Sequence, residues 1–214
     1  MARMRRPAAE VVGVATEYQG YLSIRRYEIE EDLHRGGRQR VTRLVMERGH
    51  AVAVLAYDPR KDRVVLVNEL RPGVLAAGGT AFSDGLIAGA IEPGEAALDA
   101  AVREAREEAG LELETPRIIH ERAYVSPGGT SETITIVYAA VTAPLASEIH
   151  GNPAEQENIR TAILSSRKFF NRIASGEIND MKTLLAGCWL RANRARLKRE
   201  AAAAHSAPSL YAEP

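Results

Sequence analysis

A group of acidic side chains falls within one short segment, REAREEAG, which begins at Arg103. If the segment is helical, Glu104, Glu107 and Glu108 share one face, because residues three and four apart are neighbours on a helix. Three carboxylates would repel one another, but a hard divalent cation such as Mg²⁺ binds carboxylate and phosphate oxygens and reverses that effect. Arg103 can pair with Glu107, four residues further on. The spacing therefore predicts a cation-binding face that suits attack by water on a phosphate ester or anhydride.

A solvated, salt-bridged surface helix is the ordinary alternative for so charged a segment. A longer pattern favours the chemical interpretation, because residues 89–111 fit G-x5-E-x7-R-E-U-x-E-E-x-G-U, where U is aliphatic. Gly89 permits a tight turn, the helix is expected over about 95–109, and Gly110 ends it. This pattern is the signature of the Nudix hydrolases, and on it the chain is identified as a member of that superfamily.

Four further segments resemble bacterial ADP-ribose pyrophosphatases within the superfamily. They are MERGHAVAVLAYDPRKDRVVLVNELR (46–71), SPGGTSE (126–132), IHGNPAEQENIR (149–160) and GEINDMKTLLAGCWL (176–190). Pro127 follows Leu111 by 16 residues, a spacing that is typical of the ADP-ribose group. The resemblance covers roughly residues 15–192.

The resemblance implies a fold and a reaction. The fold is a Nudix α/β/α sandwich of the α+β class with a mixed sheet, preceded by a small N-terminal antiparallel β domain exchanged across a homodimer. The reaction is metal-dependent hydrolysis of the pyrophosphate bond of a nucleoside diphosphate sugar, with ADP-ribose giving AMP and ribose 5-phosphate. The expected cofactor is Mg²⁺, with Mn²⁺ as the alternative.

The resemblance also implies a role for each matching residue. The metal ligands are the backbone carbonyl of Ala88 and the side chains of Glu104, Glu108 and Glu157. The catalytic residues are Arg103, Glu155 as the general base, and Glu107, either as an additional metal carboxylate or as a carboxylate that supports the ligands from behind. The substrate contacts are Arg43, Arg71 and, for the terminal ribose, Glu132. Glu155 and Glu157 lie in a polar loop, where a solvated acid is the ordinary interpretation, so their roles depend on the resemblance alone.

One position departs from the family pattern. Related enzymes usually carry a glutamate before the box, in E-x-x-A-G, whereas GLIAG has Gly85 there. Two explanations stay open: a substrate-side or outer-metal carboxylate is missing, or Asp84 replaces it from one residue away. The structural alternative is that Gly85 allows a bulge or a close backbone approach in a strand.

The rest of the chain is expected to form two units with loose ends. We predict a flexible N-terminus over 1–12, a small β dimerisation domain over 13–48, the Nudix hydrolase domain over 49–200 and a flexible C-terminus over 201–214. The expected strands are 21–29, 38–46, 50–57, 63–70, 118–125, 133–141 and 158–164, with a loop over 71–85 and helices over 166–174 and 180–200. Strands and helices mix without regular βαβ alternation, which favours the α+β class.

Composition excludes several classes of partner. Lys+Arg and Asp+Glu both number 28, so the net charge of zero argues against a protein built to bind nucleic acid. The longest apolar run, residues 51–57, is far shorter than a membrane span, and no secretory segment is recognisable. A cytoplasmic protein with no nucleic-acid or membrane partner is therefore expected.

Three functions remain open at this level. The first is ADP-ribose hydrolysis, and the second is hydrolysis of GDP-mannose or another nucleoside diphosphate sugar. The third is a nucleotide-sensing regulator that kept the fold and lost catalysis. The intact set of Glu104, Glu107 and Glu108 argues against the third.

Overall fold

The computed structural model describes residues 7–144 and 146–206. Residues 1–6 of the predicted N-terminal segment (1–12) and residues 207–214 of the predicted C-terminal segment (201–214) lie outside the described residues. The described chain divides into two compact units. The first contains the residues up to His50 together with Tyr124–Thr133. The second contains Ala51–Ala123 and the residues from Ile134 onward.

The first unit is built on a three-stranded antiparallel sheet in the order β1-β2-β3. Its strands are β1 (Ala9–Gln19), β2 (Ser23–Asp32) and β3 (Arg38–Glu47). Gly36 and Gly37, between β2 and β3, both have positive φ angles, of 89° and 88°. They supply the backbone conformation of a tight reversal, as the sequence indicated.

The first of these strands was not predicted, and the prediction of a flexible segment over 1–12 is wrong from Ala9 onward, where β1 begins. The pairing of β1 with β2 shifts register between Val11 and Gly13 and again between Thr16 and Tyr18. Each shift inserts an extra residue and reverses which side chains face which side. The alternation that reveals a strand in a sequence is therefore broken twice within β1.

The second sheet is mixed and has eight strands, in the order β10-β11-β5-β4-β9-β8, with β6 paired to β5 and β7 paired to β4. Its strands are β4 (Ala51–Asp58), β5 (Arg63–Leu70), β6 (Phe82–Gly85), β7 (Ile87–Ala90), β8 (Glu114–Tyr124), β9 (Thr133–Ala140), β10 (Ile149–His150) and β11 (Ile159–Ser165). Strand β4 pairs in parallel with β9 and antiparallel with β5. The predicted mixed sheet and α+β class are confirmed.

Helices cover both faces of this sheet. They are α1 (Pro72–Ala76), α2 (Ala97–Ala109), α3 (Ser166–Ala174) and α4 (Met181–Ser206). Even-numbered residues of β4 lie in a core cluster with the buried alanines of α2. Odd-numbered residues of β4 lie in a second cluster with Phe169 of α3 and Leu190 of α4. This alternation gives the three-layer α/β/α arrangement. None of the described helices is both long and apolar enough to span a membrane.

Three segments differ from their predicted form. The expected loop over 71–85 contains α1 and β6, which are too short to show a periodic pattern. Helix α2 begins at Ala97, two residues later than expected. Helix α4 continues to Ser206, so the predicted flexible segment over 201–214 is wrong for its first six residues. Four consecutive alanines begin that segment, and alanine is the strongest helix former.

Candidate active site

Two turns determine where helix α2 begins and ends. The helix follows a turn in which Glu95 Oε2 accepts a hydrogen bond from the backbone N–H of Glu92 at 2.9 Å. At the other end Gly110 adopts a left-handed conformation with φ 60°, and its N–H donates to the carbonyl of Arg106. This is the glycine C-cap that the sequence predicted.

The three glutamates of α2 do not share one environment. Glu104 and Glu108 are buried, with 7% and 2% of their surface exposed, whereas Glu107 lies at the exposed edge. Alanines accompany the two buried glutamates on the inward face of the helix, where small side chains let it approach the sheet closely. Burying two carboxylates is costly unless hydrogen bonds or a cation compensate them. The candidate site is therefore the Glu104 and Glu108 pair.

Strand β7 passes directly beside these two carboxylates. The backbone N–H of Ala88 donates to Glu108 Oε2 at 3.0 Å. At the next residue, a Cβ placed on Gly89 would overlap the carboxylate of Glu104. The Nudix glycine is thus needed for close approach of backbone to carboxylate. The structure brings Ala88 to the pair, and the ligand role of its carbonyl stays a prediction.

Arg103 holds the carboxylates in place through more partners than the sequence indicated. Its Nε and Nη2 each donate to one oxygen of Glu95 at 3.0 Å, a bidentate pair. Its Nη1 donates to Glu104 Oε1 at 2.6 Å, and Nη2 also donates to the carbonyl of Ala90 at 3.0 Å. The predicted contact with Glu107 exists but is longer, at 3.4 Å. Arg103 therefore joins the entry turn, β7 and Glu104 more closely than it joins Glu107.

The electrostatics of the pair favour a bound cation. Burial, together with the negative charges of Glu69 and Glu104, raises the pKa of Glu108 to about 9. Burial also raises the pKa of the Glu104 carboxyl, against the opposing effect of Arg103. In both carboxyl groups burial disfavours the charged form, and a divalent cation bound beside them would offset that cost.

The oxygen donors fit a hard divalent cation. Within residues 7–144 and 146–206, no three acidic, histidine or cysteine side chains lie close enough together to hold an ion by themselves. Mg²⁺ does not require such a cage, because it is usually bound through one or two carboxylates, several waters and substrate phosphates. Glu104 and Glu108 provide the two carboxylates of that mode.

The loop between β10 and β11 carries the other two predicted acids. The N–H of Gly151 donates to the carbonyl of Glu107 at 3.2 Å, which ties the loop to α2. Asn152 then contacts both acids: its backbone N–H donates to Glu157 Oε2 at 2.9 Å, and its Nδ2 donates to Glu155 Oε1 at 3.1 Å. Glu157 is half-buried and Glu155 is exposed.

These loop acids relate differently to the helix carboxylates. The charge of Glu157 contributes to the raised pKa of both Glu104 and Glu108, which brings it into the same electrostatic site. Glu155 stands on a short 3₁₀ turn, Pro153–Glu155, that follows Asn152. The assignment of Glu155 as base and Glu157 as ligand stays a prediction.

Arg71 lies just beyond β5, beside a residue that the sequence analysis did not single out. Its Nη1 lies 2.7 Å from Glu69 Oε1, and among neighbouring charges Glu69 raises the pKa of Glu108 most. The signal for Glu69 was available, because residues two apart on a strand share a face. Lys182 and Asp180 also act on the pKa of Glu69, so Arg71 belongs to a charged group at the start of α4.

Asp84 does not replace the carboxylate that is absent at residue 85. Its Oδ2 accepts a hydrogen bond from Arg172 Nη1 at 2.5 Å, and its Oδ1 accepts one from Asn68 Nδ2 at 2.6 Å. Both oxygens are therefore engaged by α3 and by the neighbouring strand. Adjacent residues of a strand point to opposite faces, so Asp84 and Gly85 serve different surfaces.

The two remaining predicted substrate contacts belong to the first unit. Arg43 is exposed on β3, and its Nη1 donates to the carbonyl of Thr42 at 2.9 Å. Glu132 is buried, and its Oε1 lies 3.7 Å from Arg48 Nε. Their roles toward a substrate stay predictions.

Comparison with known proteins gives the class that this fold and site define. The NUDIX domain model matches residues 47–204, and the chain belongs to the Nudix family. A solved structure titled ADP compounds hydrolase superposes with a TM-score of 0.66 over 90% of this chain and 98% of that one. At 19% identity, that likeness supports the fold alone.

Several relatives carry the names of specific pyrophosphatases. The ADP-ribose pyrophosphatase of Escherichia coli K12 is 36% identical over 192 residues, which cover 89% of this chain and 91% of that protein. The ADP-ribose pyrophosphatase of Haemophilus influenzae is 33% identical, with 88% of each chain covered. The GDP-mannose pyrophosphatase of Salmonella typhimurium is 31% identical over 169 residues, 77% of this chain and 85% of that one.

Proposed function

We propose that this protein is a Mg²⁺-dependent Nudix pyrophosphatase that hydrolyses ADP-ribose to AMP and ribose 5-phosphate. The observation that carries the proposal is the buried pair of Glu104 and Glu108, set against β7 and held by Arg103. Similarity to ADP-ribose pyrophosphatases over 89% of the chain supports the choice of substrate.

In this proposal each group performs one task. Glu104 and Glu108 hold the cation, with Glu157 and the carbonyl of Ala88 as further ligands and Glu107 at the outer edge. When bound, the cation neutralises phosphate charge and lowers the pKa of the attacking water. Glu155 accepts a proton from that water as its oxygen attacks one phosphorus of the pyrophosphate. The bond from that phosphorus to the bridging oxygen breaks, which yields two phosphomonoesters.

The contacts to substrate would come from Arg43, Arg71 and Glu132. This role is best supported for Arg71, because its guanidinium lies beside the carboxylate of Glu69 and can pair with phosphate oxygens. Arg43 and Glu132 are assigned through the family resemblance.

A substrate panel tests the proposal. Purified protein is incubated with ADP-ribose, GDP-mannose and other nucleoside diphosphate sugars, with Mg²⁺, with Mn²⁺ or with EDTA, and the nucleoside monophosphate is measured. We expect AMP from ADP-ribose with the highest kcat/KM, and no turnover in EDTA. A higher kcat/KM for GMP release from GDP-mannose would favour the second candidate, whose relatives cover 77% of the chain. Absence of turnover with every substrate would leave the non-catalytic regulator.

We also propose that the protein is a homodimer, and we retain the predicted cytoplasmic location. Several large apolar residues of the first unit are more than half exposed in a single chain: Val11, Val14, Tyr18, Tyr21 and Leu44. A small sheet needs a covered hydrophobic face for its stability, and apolar side chains left exposed on it favour a surface that a partner covers. Sedimentation at micromolar concentration should give twice the chain mass, and a 23.3 kDa species would contradict the dimer.

A further inference from the structure

The guanidinium of Arg71 has a donor that the protein does not use. Its Nη1 makes an ion contact with Glu69 Oε1 at 2.7 Å, but Nη2 is buried and has no hydrogen-bond partner among the described residues. Glu69 Oε1 is likewise buried without an aligned hydrogen bond in that part of the chain. A buried polar group without a hydrogen bond costs free energy. The incomplete hydrogen bonding of Arg71 and Glu69 therefore indicates groups that contact a ligand.

Strand register shows why the guanidinium can occupy this place. Strands β5 and β6 pair Val67 with Gly85 and Glu69 with Ser83, so Gly85 and Glu69 are diagonal neighbours on one face. A Cβ on Gly85 would lie 3.0 Å from Arg71 Nη2. The absent side chain leaves room for the guanidinium, and a carboxylate at residue 85 would reach the same group that Glu69 contacts.

Glu69 also lies on the face of β5 that packs against α2, because Val65 and Val67, four and two residues before it, lie in one core cluster with the buried alanines of α2. Among neighbouring charges it has the largest effect on the pKa of Glu108, and its own pKa is raised by burial, with Glu157 adding to the shift. Arg71 and Lys182 oppose that shift. Glu69 therefore contacts Arg71, which can contact substrate, and acts electrostatically on the carboxylates that can hold a cation.

We propose that Glu69 is a positioning residue of this active site. It orients the Arg71 guanidinium toward the substrate and adds a negative charge on the α2 side of the sheet that strengthens divalent-cation binding. In this arrangement Glu69 supplies from β5 the carboxylate that is absent at Gly85 of β6. The substrate part rests on the proposed function, whereas the cation part does not.

The test uses the isosteric Glu69→Gln variant with two readouts. Mn²⁺ binding is measured without substrate by the electron paramagnetic resonance signal of the free ion, and steady-state kinetics are measured with the best substrate of the panel. We expect the Mn²⁺ dissociation constant and KM each to rise about 10-fold, with a smaller change in kcat. The control is Glu121→Gln on β8, an exposed glutamate of the same sheet, which should leave both values unchanged.

Rescue distinguishes positioning from a general structural effect. In Glu69→Gln/Gly85→Glu the new carboxylate can reach Arg71 if the flexible guanidinium moves by a few tenths of an ångström, and we expect Mn²⁺ affinity and KM to return most of the way. A double variant with the wild-type melting temperature and no recovery would overturn the proposal. If that double variant does not fold, Glu69→Gln/Gly85→Asp is tested for rescue in its place. The single variant Glu69→Gln still tests the proposal.

Unchanged Mn²⁺ affinity and unchanged KM in folded Glu69→Gln would overturn the proposal without any rescue experiment. Failure of the proposed function gives a different result, because ADP-ribose would then not be cleaved by the wild-type protein. In that case the Mn²⁺ dissociation constants of the wild type and of Glu69→Gln would still test the effect of Glu69 on cation binding.

Discussion

The carboxylate of Glu104 occupies the space that any side chain at residue 89 would need. A Cβ on Gly89 would overlap both the carboxylate carbon and its oxygens. Arg103 holds Glu104 from the other side, through Nη1 to Oε1 at 2.6 Å. Backbone and guanidinium thus define the position of one proposed ligand before a cation arrives, which is the preorganisation that such a site requires.

The variant Gly89→Ala should displace Glu104 and weaken catalysis. We expect kcat/KM to fall about 100-fold and the Mg²⁺ requirement to rise, since the methyl group and the carboxylate cannot share one place. Steady-state rates over a Mg²⁺ titration measure both effects. The matched control is Gly73→Ala in α1, where a Cβ would meet nothing within 4 Å. Wild-type activity in Gly89→Ala would show that the Glu104 position is unimportant.

Arg103→Lys should lower activity about 10- to 100-fold, although the charge is kept. A lysine cannot reproduce the bidentate contact with Glu95 while also reaching Glu104 and the carbonyl of Ala90. The control is Arg106→Lys, one turn further along α2, whose exposed pair with Glu112 contributes little. If Arg103→Lys kept the same wild-type-like rate as Arg106→Lys, Arg103 would have no role in the site.

Local periodicity predicted which residues of α2 share a face but could not predict which of them are buried. The spacing of Glu104, Glu107 and Glu108 suggests three equivalent carboxylates, whereas packing of α2 on the sheet buries only the first and third. The same limit applies to Arg103, because the i,i+4 rule favours Glu107 while the closer partner Glu95 comes from the preceding turn.

Glu155→Gln should abolish most of the activity across the pH profile if Glu155 is the base. Its exposed position on a loop is compatible with closure over a substrate. Glu157→Gln should instead weaken Mg²⁺ binding, because the charge of Glu157 already acts on Glu104 and Glu108. Full activity in Glu155→Gln together with loss of pH dependence in Glu157→Gln would mean that the two roles are reversed.

Stability without metal should decrease as pH rises. The pKa of Glu108 is about 9 in the folded protein, against 4.5 in the unfolded chain, so the folded state binds the extra proton between these values. The free energy of unfolding then falls with increasing pH over that window. We expect the melting temperature in EDTA to drop from about pH 5 to about pH 9, and Mg²⁺ to restore more of it at the higher pH.

Calorimetry at several pH values measures this effect. Glu108→Gln has no proton to lose, so its melting temperature should depend less on pH and respond less to Mg²⁺. An equal pH dependence in the wild type and in Glu108→Gln would assign the effect to other groups.

The larger sheet was predictable where strands are long, apolar and regular, and β5 agrees with its predicted bounds. Helix α3 also agrees, with Ser165 as the capping residue that starts it. Short elements such as β6 and β7 were missed, since four residues carry little periodic signal and their pairing with β5 and β4 comes from tertiary contacts. The role of Asp84 depends on that pairing, so the sequence could not assign it, whereas the position of Glu69 two residues before Arg71 was a signal in the sequence.

The most direct measurement is the steady-state rate of AMP release from ADP-ribose by Glu104→Gln and by Glu108→Gln at saturating Mg²⁺. Both substitutions keep the shape of the side chain and remove only its capacity for negative charge, so both variants should stay folded. We predict rates at least about 100-fold below the wild type in each variant. A wild-type rate in either folded variant would contradict metal-dependent hydrolysis at this helix face.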